Sequence, residues 1–157
     1  MKKEAKIQEF WKQFLIDTNR DDSVGFLDSF YFGRTEDIAN ELLSLILNGT
    51  KKATTSCLPI YDIYNEKIAE IGDLSIITDW DGNPKCVIET TCVTIIPFKD
   101  VTFEICSREG EDDNLQSWQN THSAIYEAEG KKEGYDFTWE TPVVFEDFKV
   151  IYTSDKN

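Results

Sequence analysis

Residues 70–98, EIGDLSIITDWDGNPKCVIETTCVTIIPF, constrain the fold more than any other stretch. Two apolar runs rich in β-branched residues flank Asp81-Gly82. That dipeptide favours the positive-φ turn that joins antiparallel neighbours, so the pattern predicts two strands meeting in a hairpin. Whatever else the chain forms must be built around this pair.

The rest of the chain alternates between helical and strand periods. Residues 3–17 repeat Ile7, Phe10, Trp11, Phe14 and Leu15 at three- and four-residue spacing, which predicts an amphipathic helix. TNRDDSVG breaks that pattern as a polar loop, and FLDSFYFG is a short aromatic run ending in Gly33. A second helix is expected over 36–48. Thr35 is its N-cap, Glu36 and Asp37 sit at the positive end of its dipole, and Gly49 lies just past its end. Ile38, Leu42, Leu45 and Ile46 line one face, and Leu43 and Leu47 widen it, which predicts a well-buried helix. ATTSCL reads as a short strand, VTFEIC as a short strand or the start of a helix, and NLQSWQNTHSAIYEAE as a helix. TPVVFEDFKVIY alternates Val144, Phe148 and Val150 with charged residues and reads as a closing strand. With ten Phe, six Tyr and four Trp among 157 residues, the expectation is a single α+β domain over 1–157. Its sheet should be small and curled, or a barrel, with helices outside.

Charge narrows the partners. Thirty acidic against 16 basic residues leave a formal net charge of -14. Affinity for a polyanion comes largely from cations that displace counterions, so tight binding to DNA or long RNA is disfavoured. A neutral small ligand, a single nucleoside or one local basic cleft is not. Cys57, Cys86, Cys92 and Cys106 form no C-x-x-C pair and have only His122 to help, so buried free thiols are expected, with no metal and no cofactor. The amino-terminal run MKKEAKIQEFWKQFL has no signal-peptide core, and no apolar run approaches the ~20 residues of a membrane span. The expectation is a cytoplasmic protein with no membrane partner.

Two constellations carry chemistry. In TKKATTS, an extended chain puts Lys51, Ala53 and Thr55 on one side and Lys52, Thr54 and Ser56 on the other. If the chain still turns there, Lys52 and Thr55, three apart, meet instead. A lysine amine beside a threonine hydroxyl can serve as base toward a nucleophile if its surroundings lower its pKa from about 10.4. The same lysines equally cap a helix C-terminus. In SREGEDDN, Glu109, Glu111, Asp112 and Asp113 crowd around Gly110. One of these carboxyls can carry a proton, or Asp112, Asp113 and Asn114 can cap the following helix. His122 falls on an apolar stripe and reads as a core or rim residue. Glu89 lies within a strand and faces either inward or outward. Trp80 and Trp139 can stack a base or close the core.

The pieces FWKQFL, SFYFG, ANELLSLILNGTKKATTS, IGDLSIITDWDGNPKCVIETTCVTIIPF, EGEDDNLQSW and TPVVFEDFKVIY together resemble the ASCH family, relatives of the PUA domain. The resemblance implies a PUA-like mixed or antiparallel β-barrel flanked by helices, over about 26–153. The helix at 3–17 would be an extension, and a cleft would lie near the lysine–threonine stretch. One bacterial branch of that family hydrolyses the acetyl amide of acetylated cytidine with a lysine, a threonine three residues later and a more distant glutamate. On this sequence those roles fall on Lys52, Thr55 and Glu111, the last placed by its distance to Leu115, with Glu109 second. Lys51, Thr54, Glu109 and Glu89 are then the expected ligand contacts. That branch has shorter chains and a threonine directly after the lysine, where this sequence has Ala53. The expected function is binding of a small, modified nucleoside-type ligand, with removal of an acyl group from a compound such as N4-acetylcytidine. The alternative is a non-catalytic RNA- or nucleotide-binding module, or a ribonuclease. The acidic balance weighs against RNA.

Overall fold

The structure, a computed structural model, describes residues 2–154. Its elements are α1 (Lys2–Asp17), β1 (Asp28–Phe30), α2 (Glu36–Leu47), β2 (Ala53–Cys57), α3 (Pro59–Ile63), β3 (Leu74–Thr78), β4 (Pro84–Pro97), α4 (Phe103–Cys106), α5 (Leu115–Glu133) and β5 (Pro142–Thr153). The five strands form one mixed sheet in the order β1-β3-β4-β5-β2, curled into a half-barrel flanked by helices. β1 runs parallel to β3, and the other three pairings are antiparallel. The hairpin expected around Asp81-Gly82 is β3–β4, with Gly82 at φ 86°.

Strand alternation divides the apolar residues into three clusters. On the concave side Ile77, Cys86, Ile88 and Phe148 pack under Ile46 of α2. Trp11, Phe14 and Leu15 of α1 cover Leu74, Ile76 and Val87 on one outer face. Trp118 and Tyr126 of α5 cover Ala53, Cys57, Val143 and Phe145 on the other, around Phe98. Both ends of the sheet are edges, because β1 and β2 do not pair with each other. The half-barrel therefore stays open along one side.

Of the two readings of VTFEIC the helix holds, as α4, because Thr102 accepts a hydrogen bond from the Ile105 N–H and caps it. The expected strong burial of α2 is one-sided: Ala39 and Ile46 are buried, whereas Ile38 and Leu47 are exposed. α3 had no clear signal in the sequence. Thr35 and Asn114 cap α2 and α5, by accepting from Ile38 and Ser117 respectively. Cys57, Cys86 and Cys106 are buried free thiols, and Cys92 is exposed. Among the described residues no helix is long and apolar enough to cross a membrane.

Candidate functional site

The stretch after α2 is extended rather than turned. Asn48 ends the helix, Gly49 takes φ 83°, and the Thr50 and Lys51 N–H groups both close on the Leu45 carbonyl. From there the side chains alternate. Lys51, Ala53 and Thr55 point to the α5 side, where Lys51 and Ala53 are buried. Lys52 is exposed; its backbone is tied on both sides, its N–H donating to the Arg108 carbonyl and its carbonyl accepting from the Phe148 N–H. The lysine brought to the threonine's side is thus Lys51, and Lys52 lies outside the constellation.

Facing Lys51 is the acidic loop. A short 3-10 turn over Ser107–Glu109 ends at Gly110, whose φ of 74° folds the chain back against the Thr50 carbonyl. This sets Glu109 and Glu111 on either side of the lysine. The Lys51 ammonium donates to Glu111 Oε2 at 2.6 Å and to the Ala53 carbonyl at 2.8 Å, and lies 3.7 Å from Glu109 Oε1. It also sits 5.3 Å from the centre of the Phe32 ring. The Lys51 and Glu109 side chains are 2% and 3% exposed, whereas Glu111 is 28% exposed.

Glu109 is the hub. Its Oε2 accepts from the Thr55 hydroxyl at 3.1 Å and from the Trp118 indole N–H, and lies 3.5 Å from His122 Nε2. The His122 ring stacks on Trp118 at 4.4 Å, and its Nδ1 is 3.0 Å from the Trp118 carbonyl oxygen. The sequence placed His122 only on an apolar stripe and gave Trp118, on the same helix, no role. Their four-residue spacing on one helix face was the available signal. Asp112 accepts from Ser117 and belongs to the start of α5.

The open side of the half-barrel is a cleft of about 610 Å³. Edge residues from both ends of the sheet line it, Phe30 and Phe32 from one and Thr54, Thr55 and Ser56 from the other. Leu58 N–H donates to the Pro142 carbonyl in step with the Thr54–Glu146 and Ser56–Val144 pairs. Antiparallel alternation then turns the Thr55 N–H and carbonyl away from β5, toward the open edge. At the floor of the cleft is Glu146, opposite Thr54, accepting from the Thr90 hydroxyl at 2.8 Å. Burial pushes its carboxyl above the ordinary 4.5, with the negative charge of Asp73 adding to the shift and the Thr90 hydrogen bond opposing it. Sequence reading passed over Glu146. The signal was its parity, which it shares with Val144, Phe148 and Val150 on a strand whose other residues alternate away.

The remaining candidates lie elsewhere. Glu89 sits cross-strand from Leu74 and Lys149, on the outer face that α1 covers at Leu74. Trp80 packs on Tyr31, and Trp139 on Phe98. Among the described residues no group of three or more His, Cys, Asp or Glu side chains is placed to hold a metal ion.

Comparison with known proteins bears on the family and the fold. The ASCH domain profile matches residues 28–152. No curated protein matches the chain. An ASCH domain crystal structure from Lactobacillus crispatus JV V101 superposes with a TM-score of 0.84 at 31% identity, covering 94% of this chain and 95% of that one. The crystal structure of protein EF3133 from Enterococcus faecalis V583, described under the family DUF984, superposes with a TM-score of 0.87 at 28% identity, covering 95% and 90%. A hypothetical protein, PH0355, at 19% identity and a TM-score of 0.51, shares the fold alone. A half-barrel open between its two edge strands, a profile match that spans most of the sequence and a superposable ASCH domain at 31% identity lead to one assignment: the chain belongs to the ASCH domain family.

Proposed function

We propose that this protein binds a small nucleoside-type ligand in the open cleft and hydrolyses an acyl amide on it, as in N4-acetylcytidine. The observation that carries the reading is the hydrogen bond from Thr55 to Glu109, a carboxylate faced by the buried Lys51 ammonium, on a residue that also lines the cleft. In this reading Thr55 Oγ attacks the amide carbonyl carbon and its proton passes to Glu109. The charge that develops on the carbonyl oxygen is met by the Thr55 N–H on the open edge. Collapse breaks the C–N bond, and Glu109 returns the proton to the departing amine. Water then attacks the acyl ester on Thr55, gives a proton to Glu109 and releases the carboxylic acid, and the proton on Glu109 goes back to Thr55 Oγ.

The role drawn from the family resemblance moves from Lys52 to Lys51 here, and it changes in kind. With its ammonium engaged by Glu111, Ala53 and Glu109, Lys51 acts as a fixed positive charge that holds both carboxylates in place. The test is release of cytidine from N4-acetylcytidine by the wild-type protein and by Thr55→Ala and Glu109→Gln. Loss of product in both variants is expected, and an active Thr55→Ala protein excludes the hydroxyl as nucleophile.

One observation favours a second reading, binding without chemistry. Glu109 Oε2 accepts from both Trp118 and Thr55 while Oε1 faces Lys51, an arrangement that equally serves to hold the Thr55 edge in place. In that case the wild-type protein retains the nucleoside with no product formed.

A further inference from the structure

Of the carboxyls that line the cleft, Glu146 is the one carried on the sheet's concave face, half-buried opposite Thr54. Glu146 stands on the concave parity of β5, and its neighbours two residues away on either side, Val144 and Phe148, are buried and apolar. Thr90 donates to its Oε1, and Oε2 has no hydrogen-bond partner among the described residues. A glutamate held there is costly to the fold unless it is paired, because its charged form loses solvation. Thr54 and Ser56, the inward-facing hydroxyls of β2, flank it across the strand pair.

We propose that Glu146 is a specificity-determining residue of this cleft and that its carboxyl, with Oε1 held by Thr90 and Oε2 open to the cleft, pairs with a ligand edge carrying one N–H donor next to one ring-nitrogen acceptor. A neutral carboxyl supplies one O–H donor and one carbonyl acceptor side by side, which matches such an edge with two parallel hydrogen bonds. The N4–H and N3 of cytidine form this edge, and N4-acetylcytidine keeps it. The inference rests on the reading that a nucleoside occupies the cleft, but not on hydrolysis. Burial shifts the Glu146 carboxyl upward, toward the protonated form that offers this donor, and the Thr90 hydrogen bond opposes the shift. The charged and titratable groups around it are Asp28, Glu66, Lys67, Glu129 and Tyr61 in the cleft wall, and Asp73 behind it. Lys67 is 3.8 Å from Asp73, the one charge among these that raises the Glu146 carboxyl.

The experiment is equilibrium binding of cytidine by calorimetry, which needs no turnover. Glu146→Ala should weaken cytidine binding by about ten- to a hundred-fold, the loss of two hydrogen bonds in a shielded site. Glu146→Gln, whose amide offers the same donor and acceptor pair, should bind within about three-fold of wild type. N4,N4-dimethylcytidine lacks the N–H donor, so its affinity should be low and should not change between the three proteins. Raising the pH from 5.5 to 8 should weaken cytidine binding to wild type and leave Glu146→Gln unaffected. The proposal is overturned if wild type does not bind cytidine, if Glu146→Gln loses as much as Glu146→Ala, or if dimethylation costs nothing. Should Glu146→Ala fail to fold, the dimethyl probe and the glutamine variant still decide it. Binding that follows this pattern with no release of cytidine from N4-acetylcytidine refutes the hydrolytic reading and leaves this inference standing. Hydrolysis that is lost in Thr55→Ala, together with undiminished binding in Glu146→Ala, does the reverse.

Discussion

Replacing Lys51 by methionine removes one charge from a pair that water scarcely reaches. The methionine keeps most of the stem, so the packing against Phe32 is largely preserved and the change is chiefly electrostatic. Glu111, at 28% exposure, can turn outward into solvent, but Glu109, at 3%, is fixed by Trp118 and Thr55 and has nowhere to go. Leaving one member of a buried ion pair without its partner costs about 3–5 kcal/mol. At about 2–4 °C per kcal/mol for a chain of this size, the melting temperature should fall by about 6–20 °C. Glu111→Gln should cost under about 1 kcal/mol, as for an exposed pair. The double variant Lys51→Met/Glu109→Gln removes both buried charges while leaving an oxygen for Trp118 and Thr55, and should recover at least half of the loss. The assay is urea unfolding of wild type, Lys51→Met, Glu109→Gln, Glu111→Gln and the double variant at pH 7, with unchanged slopes as the control. A cost below about 1 kcal/mol for Lys51→Met, or strict additivity in the double variant, refutes the view that these groups act as an enclosed pair.

Gly110→Ala should destabilise by more than the about 1–2 kcal/mol of a left-handed alanine, since its Cβ would also run into the Thr50 carbonyl; the unfolding midpoint measures it, and turnover should fall with it as Glu109 and Glu111 are displaced. Native protein should react with one equivalent of a thiol reagent at pH 8, at Cys92, because burial holds the Cys57 and Cys106 thiols up at about 11 and Cys86 at about 12; all four should react in denaturant. Glu146→Gln should raise the melting temperature at pH 7–8 and have no effect near pH 4. A carboxyl whose folded value lies above 4.5 binds more protons when folded than when unfolded, so its stability contribution is full below 4.5 and is lost as pH rises through the folded value.

The long strands and helices were legible because their periods repeat many times. Fourteen residues of β4 and 19 of α5 leave little room for another reading. The choice between Lys51 and Lys52 was not legible for the opposite reason. It depends on where α2 releases the chain, and a shift of one residue at Asn48-Gly49 exchanges the two faces of everything after it. Spacing alone allowed both the alternating set Lys51–Ala53–Thr55 and the turned pair Lys52–Thr55, and the extended backbone selects the first. The two glutamates were legible as a cluster, but their separate duties, one enclosed and one at the rim, come from the left-handed bend at Gly110.

A consequence of the alternation is that β2 serves two environments at once. Its odd positions face the enclosed pair, with Thr55 bonded to Glu109, and its even positions face the concave floor, with Thr54 opposite Glu146. Because β2 is an edge, no further strand separates those environments, and one cleft touches Thr54, Thr55 and Glu146 together. A closed barrel would have paired the Thr55 N–H and carbonyl with β1 and sealed that access. The sheet therefore gives up a ladder of hydrogen bonds along one side, and the cleft left open is reached by Thr55 from one face of the strand and by Glu146 from the other. Under the proposed function, recognition and attack then vary independently: a substitution at Glu146 should alter which edge is held, and one at Thr55 what happens to it.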